Sequence, residues 1–198
     1  MINKFVLRLF LGSLVLFLSA PLVVVAGVSF NEKKSLSFPP QGFSLDWYAQ
    51  IFTDDGWRQA LFNSVGVAIG ASCLSVIVAF PLAWFLWRFH APWARIVQVL
   101  GLAPFILPPV ITALGFLSFW TTAGAYGQPW TVVISHGIFF VTLPLVTLTL
   151  GFDAVDDSLV EAAATMGADD KTILRTVILP LILPYIISGM AFAFVLSL

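Results

Sequence analysis

The chain has 198 residues, of which 60% are hydrophobic and 10% charged, with a mean hydropathy of +1.01. Soluble domains run at about 45–50% apolar and about 25% charged residues, which weighs strongly against a water-soluble enzyme. The net charge of −1 offers nucleic acid no basic surface, and the single cysteine, Cys73, makes neither an internal disulfide nor a metal cluster. What remains is an integral membrane protein.

Charges punctuate long neutral runs over residues 9–31, 59–87, 96–152 and 176–198. A helix needs about 20 apolar residues to cross a bilayer. The first, second and last runs each fit one crossing. The third fits two, divided at the small, polar and ring residues of 121–129. The sequence thus predicts an all-α protein, a polytopic membrane helical bundle of five transmembrane helices at roughly 9–30, 60–87, 97–120, 130–152 and 177–198.

The first span has a signal-peptide alternative, with Lys4 and Arg8 as the basic region and Val24-Val25-Ala26 as a poor cleavage site. A signal h-region is about 7–15 residues, and this neutral stretch is longer, so an uncleaved helix is expected. Asn63 and Ser64 open the second span, with Ser72 and Ser75 following. These residues either line a path or serve helix packing, which favours small polar residues equally. In the third span Pro108-Pro109 falls near the middle, one turn after Pro104. Each proline lacks an N–H and clashes with the preceding turn. The resulting orphan carbonyls are tolerated at membrane depth only inside protein or beside a water-filled cavity. Transporters build central sites from such interrupted helices. Pro81, Pro144, Pro180 and Pro184 are expected to add kinks.

His136 is the only His, Lys, Arg, Asp or Glu inside a predicted span. It belongs either to the transport path or to a backbone carbonyl that satisfies a neutral ring. Candidate path residues are therefore Asn63, Ser64, Pro108, Pro109 and His136.

The 153–175 segment carries the densest signal. Ser158-x-x-Glu161 reads as a capping box, and Asp153, Asp156 and Asp157 favour the same helix start. Gly167 suits the left-handed position that ends a helix, and Asp169 or Asp170 then caps the next. Leu159, Ala162 or Ala163, and Met166 share one face at helical spacing, where the alanines permit close approach by another protein. The alternative is a loop lying on lipid headgroups, which its acidic cluster disfavours at an anionic leaflet.

Basic residues set the orientation. With the N-terminus inside, the inner segments hold Lys4, Arg8, Arg88, Arg95, Lys171 and Arg175, and the outer ones only Lys33, Lys34 and Arg58. Trp120 and Trp130 then fall at the outer interface and Trp84, Trp87 and Trp93 at the inner one. Enzyme motifs were sought and not found. His90 and His136 lie in separate segments, and there is neither a Gly-x-Ser-x-Gly elbow nor a Gly-x-x-x-x-Gly-Lys phosphate loop. No catalytic or metal residue is assigned. The chain shows no means of binding ATP, so uphill transport would need energy from another subunit.

Glu161-Ala162-Ala163, three residues, Gly167, nine residues, Val177, one residue, Leu179-Pro180 resembles the EAA signature of ABC importer inner-membrane permeases, with Val177 where that family usually has Ile. Asn63-Ser64 is similar to the family's Asn-Ser at the start of its second helix. The stretches Val28-Ser-Phe-Asn31, Gly42-Phe-Ser-Leu-Asp-Trp-Tyr48 and Ser135-His-Gly-Ile-Phe-Phe-Val-Thr-Leu-Pro144 resemble the spermidine/putrescine-type branch, its second permease subunit in particular. That branch includes relatives for opines and 2-aminoethylphosphonate.

The resemblance implies one permease domain over 1–198, with residues 153–175 as a cytoplasmic coupling loop between helices four and five. Glu161, Ala162, Ala163, Met166 and Gly167 would dock on a separate ATP-binding subunit, which would hold ATP and Mg, this chain having no cofactor of its own. The implied partners are an ATPase dimer, a second permease of different sequence, a periplasmic solute-binding protein docking on 31–59 and 121–129, and the lipid bilayer. The implied location is the bacterial inner membrane, with the N-terminus cytoplasmic. From another class, a membrane scaffold or regulator would use the 153–175 loop only to hold a partner. The family's chain continues into a sixth helix, so this sequence is expected to be incomplete at its C-terminus.

Overall fold

The structure, a computed structural model, describes residues 4–33, 37–89 and 94–198, the side chains of Ala94 and Arg95 excepted. Lys34, His90, Trp93 and the Arg95 side chain, all used in reading the sequence, lie outside what is described. Among the described residues the regular structure is helical throughout, as α1 (Lys4–Ser29), α2 (Asp46–Thr53), α3 (Asp55–Phe89), α4 (Ala94–Ile106), α5 (Pro109–Thr122), α6 (Pro129–Phe139), α7 (Thr142–Asp153), α8 (Asp157–Thr165), α9 (Asp170–Ile173) and α10 (Leu179–Ser197). The chain divides into two compact units, Met1–Leu61 and Phe62–Leu198.

In the first unit α1 is apolar all round and buries no residue. Beyond it the chain folds on Asn31, which is 2% exposed. The Asn31 Oδ1 accepts from the Gln41 backbone N–H at 2.9 Å, and its carbonyl accepts from Trp47 Nε1 at 2.8 Å. Phe30 stacks on Phe43 at 5.2 Å, so a polar centre and an aromatic cover fix this turn together.

In the second unit α7 packs along α10. Val141, Leu145, Leu148 and Phe152 recur at four, three and four residues, one face of a helix, and join Ile178 and Ile182 in a buried cluster. The small residues Ala79 and Ala83 bring α3 into the same cluster. Gly189 permits the close approach of α10 to α7, since a Cβ there would stand 2.6 Å from Pro144 Cα and nearer still to Thr147 Oγ1. Thr142 Oγ1 donates to the Gly101 carbonyl at 2.7 Å and pins α4 to α7. Ser72 and Ser75 are fully buried, and Ser75 Oγ bonds the Gly137 carbonyl at 2.8 Å. For these two serines the packing alternative holds.

Among the described residues three helices are long and apolar enough to cross a membrane, and five spans result only if each of two bent pairs counts as one. The expected single third span is two helices, α4 and α5, meeting at 98°. Pro108 precedes Pro109, and a residue before proline is driven out of the α region. Pro108 accordingly has φ −55° and ψ 131°, ending one helix and opening the next. The fourth span bends by 42° between α6 and α7. Pro144 lacks the N–H that would bond the Phe140 carbonyl, and Leu143 N takes that carbonyl at 3.1 Å instead. Pro81 and Pro184, by contrast, sit inside the continuous helices α3 and α10.

Candidate functional site

The most fully built surface element is the turn between α7 and α10. Asp156, not Ser158, caps α8: its Oδ1 accepts from the Ser158 backbone N–H at 2.9 Å. The expected Ser158–Glu161 capping box is thus not formed: the cap lies two residues earlier, because Asp156 has extended backbone and Ser158 already lies in the first turn, and the residue three beyond Asp156 is Leu159. Asp169 caps α9 in the same way, accepting from the Thr172 N–H at 3.0 Å. Hydrogen bonds from Ser158 and from Thr172 hold the Asp156 and Asp169 carboxyls below the usual carboxylate range.

Between these caps Gly167 has φ +86°. Ala168 N–H donates to the Ala163 carbonyl at 3.1 Å, and Gly167 N–H to the Ala164 carbonyl at 2.9 Å. This is the paired Schellman closure, which needs a left-handed residue at Gly167. Ala163 is 7% exposed and belongs to the buried cluster with Val155, Ile173 and Ile178, while Val160 packs against it. Ala163 therefore serves the loop's own anchorage, and of the two alternatives it is Ala162 that stays exposed. Leu159, Ala162 and Met166, the last 82% exposed, form the free face of α8, and Glu161 is exposed beside them.

Below the loop, Trp84, Trp87 and Phe80 surround the ring of Phe152. Trp84 and Trp87 pack inward here and do not simply decorate an interface. Their spacing with Phe80, at four and three residues on one helix face, was a readable signal of this arrangement. From Leu174 to Ile178 the chain forms a single wide π-helical turn before α10. Such turns are frequent at functional positions of α-helices. Arg88 also approaches Asp170 at 3.6 Å, a solvent-exposed pair of little energetic weight.

A second feature is a cavity of about 550 Å³ whose walls include Pro109, Thr112, Phe116, Trp120, Ser135 and His136. Trp120 Nε1 donates to Ser135 Oγ at 2.8 Å. His136 Nδ1 lies 2.9 Å from Ser197 Oγ, so the partner seen here is a distant hydroxyl, where one of the two sequence readings had a backbone carbonyl. Of the candidate path residues, Pro109 and His136 meet at this cavity; Asn63, Ser64 and Pro108 do not line it.

Residues 71–198 match the family described as binding-protein-dependent transport system inner membrane component. The chain belongs to this family. The permease is 31% identical over 198 residues to the spermidine/putrescine transport system permease protein PotC of Haemophilus influenzae, a match covering 99% of this chain and 76% of that one. It is 32% identical over 189 residues to the putrescine transport system permease protein PotI of Escherichia coli, covering 92% of this chain and 67% of that one. Among solved structures it resembles a bacterial ABC transporter involved in the import of the acidic polysaccharide alginate. The TM-score there is 0.67 at 17% identity, over 98% of this chain and 69% of that chain. At that identity the likeness shows the fold alone. The protein is accordingly a multi-pass inner-membrane permease subunit of an ATP-binding-cassette importer.

Proposed function

We propose that this permease carries a polyamine of the putrescine or spermidine type, driven through its α8 loop by a separate ATP-binding subunit. The solute class rests on the 31% identity to a spermidine/putrescine permease along nearly the whole chain. The drive mechanism rests on one observation, the exposed Leu159, Ala162 and Met166 face on a loop whose opposite face is buried. Such a loop is a rigid handle: the caps, the Schellman turn and Ala163 bind it to the bundle, while the free face is small and apolar enough for a partner's cleft.

In this reading Glu161, Ala162, Met166 and Gly167 engage the ATPase, with Ala163 holding their helix in place. ATP and Mg reside in that subunit. A periplasmic binding protein delivers solute, a second permease of different sequence completes the pore, and the N-terminus faces the cytoplasm. Closure of the ATPase dimer would displace the loop and, through Phe152 and the π turn, the helices above it. Uptake of radiolabelled putrescine and spermidine by the reconstituted importer tests the reading. ATP-dependent uptake of either supports it. Insensitivity to both, with uptake of an opine or 2-aminoethylphosphonate, would place the solute in a sister class.

A further inference from the structure

We infer that the cavity between α5 and α6 is a transit site for an organic ammonium ion, held by aromatic faces and neutral oxygen acceptors. The inference builds on the importer reading above and adds where and by what chemistry the solute is met.

The volume of about 550 Å³ suits a small solute, since ligand pockets fall at about 300–1,000 Å³. Five of its lining residues, Phe116, Trp120, Tyr126, Phe139 and Phe140, contribute aromatic rings. None of the described lining residues is Asp, Glu, Lys or Arg. Without Lys or Arg the walls offer an anion no positively charged side chain. The negative faces of the rings attract a cation.

The polar groups are compatible with that sign. Thr112, Gln128, Ser135 and His136 all line the cavity, and each carries an acceptor. Thr112 Oγ1 is buried with no hydrogen-bond partner among the described residues. A hydroxyl on a helix ordinarily donates back to a carbonyl one turn earlier, as Thr121 does to Leu117 at 2.7 Å. An orphan hydroxyl is costly, and a ligand ammonium donating to it would remove the cost. Trp120 is preorganised for its part. Its Nε1 is tied to Ser135, and its ring meets Trp130 at 5.2 Å and Phe119 at 4.8 Å, both nearly perpendicular.

The absence of a carboxylate is functional in a transit site. A desolvated ion pair would retain an amine, whereas several ring faces and hydroxyls bind it weakly enough to pass on. The Pro108-Pro109 break starts α5 beside the cavity, so Pro109 and Thr112 take their places from the same turn that bends the chain.

The test uses the complete importer in nanodiscs and a diazirine derivative of putrescine, with labelled residues mapped by mass spectrometry. Labelling is expected within 109–140 or at Leu196 and should be competed by putrescine and by tetramethylammonium, but not by 1,4-butanediol or a disaccharide. Trp120→Leu should cut labelling by about fivefold or more, and Trp120→Phe by no more than about twofold, because a ring face persists. Thr112→Val should lower labelling about two- to fivefold with no loss of thermal stability, since no hydrogen bond is broken in the empty site. Competition by butanediol equal to that by putrescine would overturn the cationic assignment even if every variant misfolded. Labelling confined to residues outside 109–140 and Leu196, alongside intact putrescine uptake, would overturn the site and leave the polyamine reading standing. Labelling inside it, competed by tetramethylammonium in an importer that takes up no polyamine, would uphold the site and refute that reading.

Discussion

The ring of Trp87 stacks on that of Phe152, with centroids 5.6 Å apart and planes inclined by 27°. Phe152 is fully buried at the end of α7, one residue before the α8 loop begins, and it shares a cluster with Val155 and Ala163 of that loop. The ring thus joins the buried side of the loop to α3. Phe152→Ala should destabilise the protein by about 3–5 kcal/mol, the usual cost of truncating a buried phenylalanine. Phe152→Leu, which keeps most of the volume, should cost less than half as much. A thermal melt of the detergent-solubilised protein reads the stability. If Phe152 also transmits motion, Phe152→Leu should lower uptake more than it lowers ATP hydrolysis by the assembled importer. Equal losses of both would confine the residue to packing.

Gly167 offers a cleaner case, because a Cβ placed there would meet nothing within 4 Å. The only obstacle to substitution is the φ of +86°. A left-handed conformation costs a residue with a Cβ about 1–2 kcal/mol, and asparagine tolerates it best. Gly167→Val should therefore impair ATPase association and uptake, and Gly167→Asn should retain most of both. Glu161→Lys, which reverses an exposed charge on the free side of α8, should weaken association without disturbing membrane insertion. Pull-down of the ATPase by each variant decides the matter; wild-type binding by Gly167→Val and Glu161→Lys alike would remove the loop from the coupling role.

The caps carry a pH dependence whose sign can be worked out. Asp156 and Asp169 have folded pKa values below the ordinary carboxylate value. A depressed acid stabilises the fold above its unfolded pKa, about 3.9. That contribution is lost as pH falls through the folded value, when the carboxylates protonate and cease to accept the Ser158 and Thr172 N–H bonds well. Nothing should change between pH 6 and 8. Amide exchange should show protection at Ser158 and Thr172 near neutrality and its loss below about pH 4. In Asp156→Asn a neutral side-chain oxygen can still cap, so the Ser158 amide should lose that pH dependence.

The loop was the most legible part of the sequence. Its helix starts, its stop at Gly167 and its free face are set by residues within a turn of one another, and capping chemistry is local. Even so Asp156 and Ser158 were confused, because both are good caps and only the backbone distinguishes them. The two breaks were legible to different degrees. Pro108-Pro109 forbids a continuous helix by local sterics, whereas the bend before Pro144 looked no different on paper from Pro81 or Pro184, which their helices absorb. What could not be read was long-range. Nothing near His136 points to Ser197, 61 positions away. The inward turn of Ala163 depends on the packing of α10, and the cavity exists only because α6 folds back beside α5.

Orientation remains to be measured directly, and the distribution of basic residues makes a definite forecast. Six Lys and Arg residues in the segments placed inside, against three outside, predict that the N-terminus and the α8 loop lie in the cytoplasm and the 31–59 segment in the periplasm. Ala49 on α2 and Ala164 on α8 are both exposed, and cysteine is a small change at either. In a Cys73→Ala background, Ala49→Cys in intact cells with a permeable outer membrane should react with an impermeant maleimide. Ala164→Cys should react only after the inner membrane is opened. The comparison is internal, since both variants share one background and one reagent, and the thiols differ only in side. Labelling of Ala164→Cys in intact cells with Ala49→Cys protected would invert the topology, and with it the assignment of α8 to a cytoplasmic ATPase.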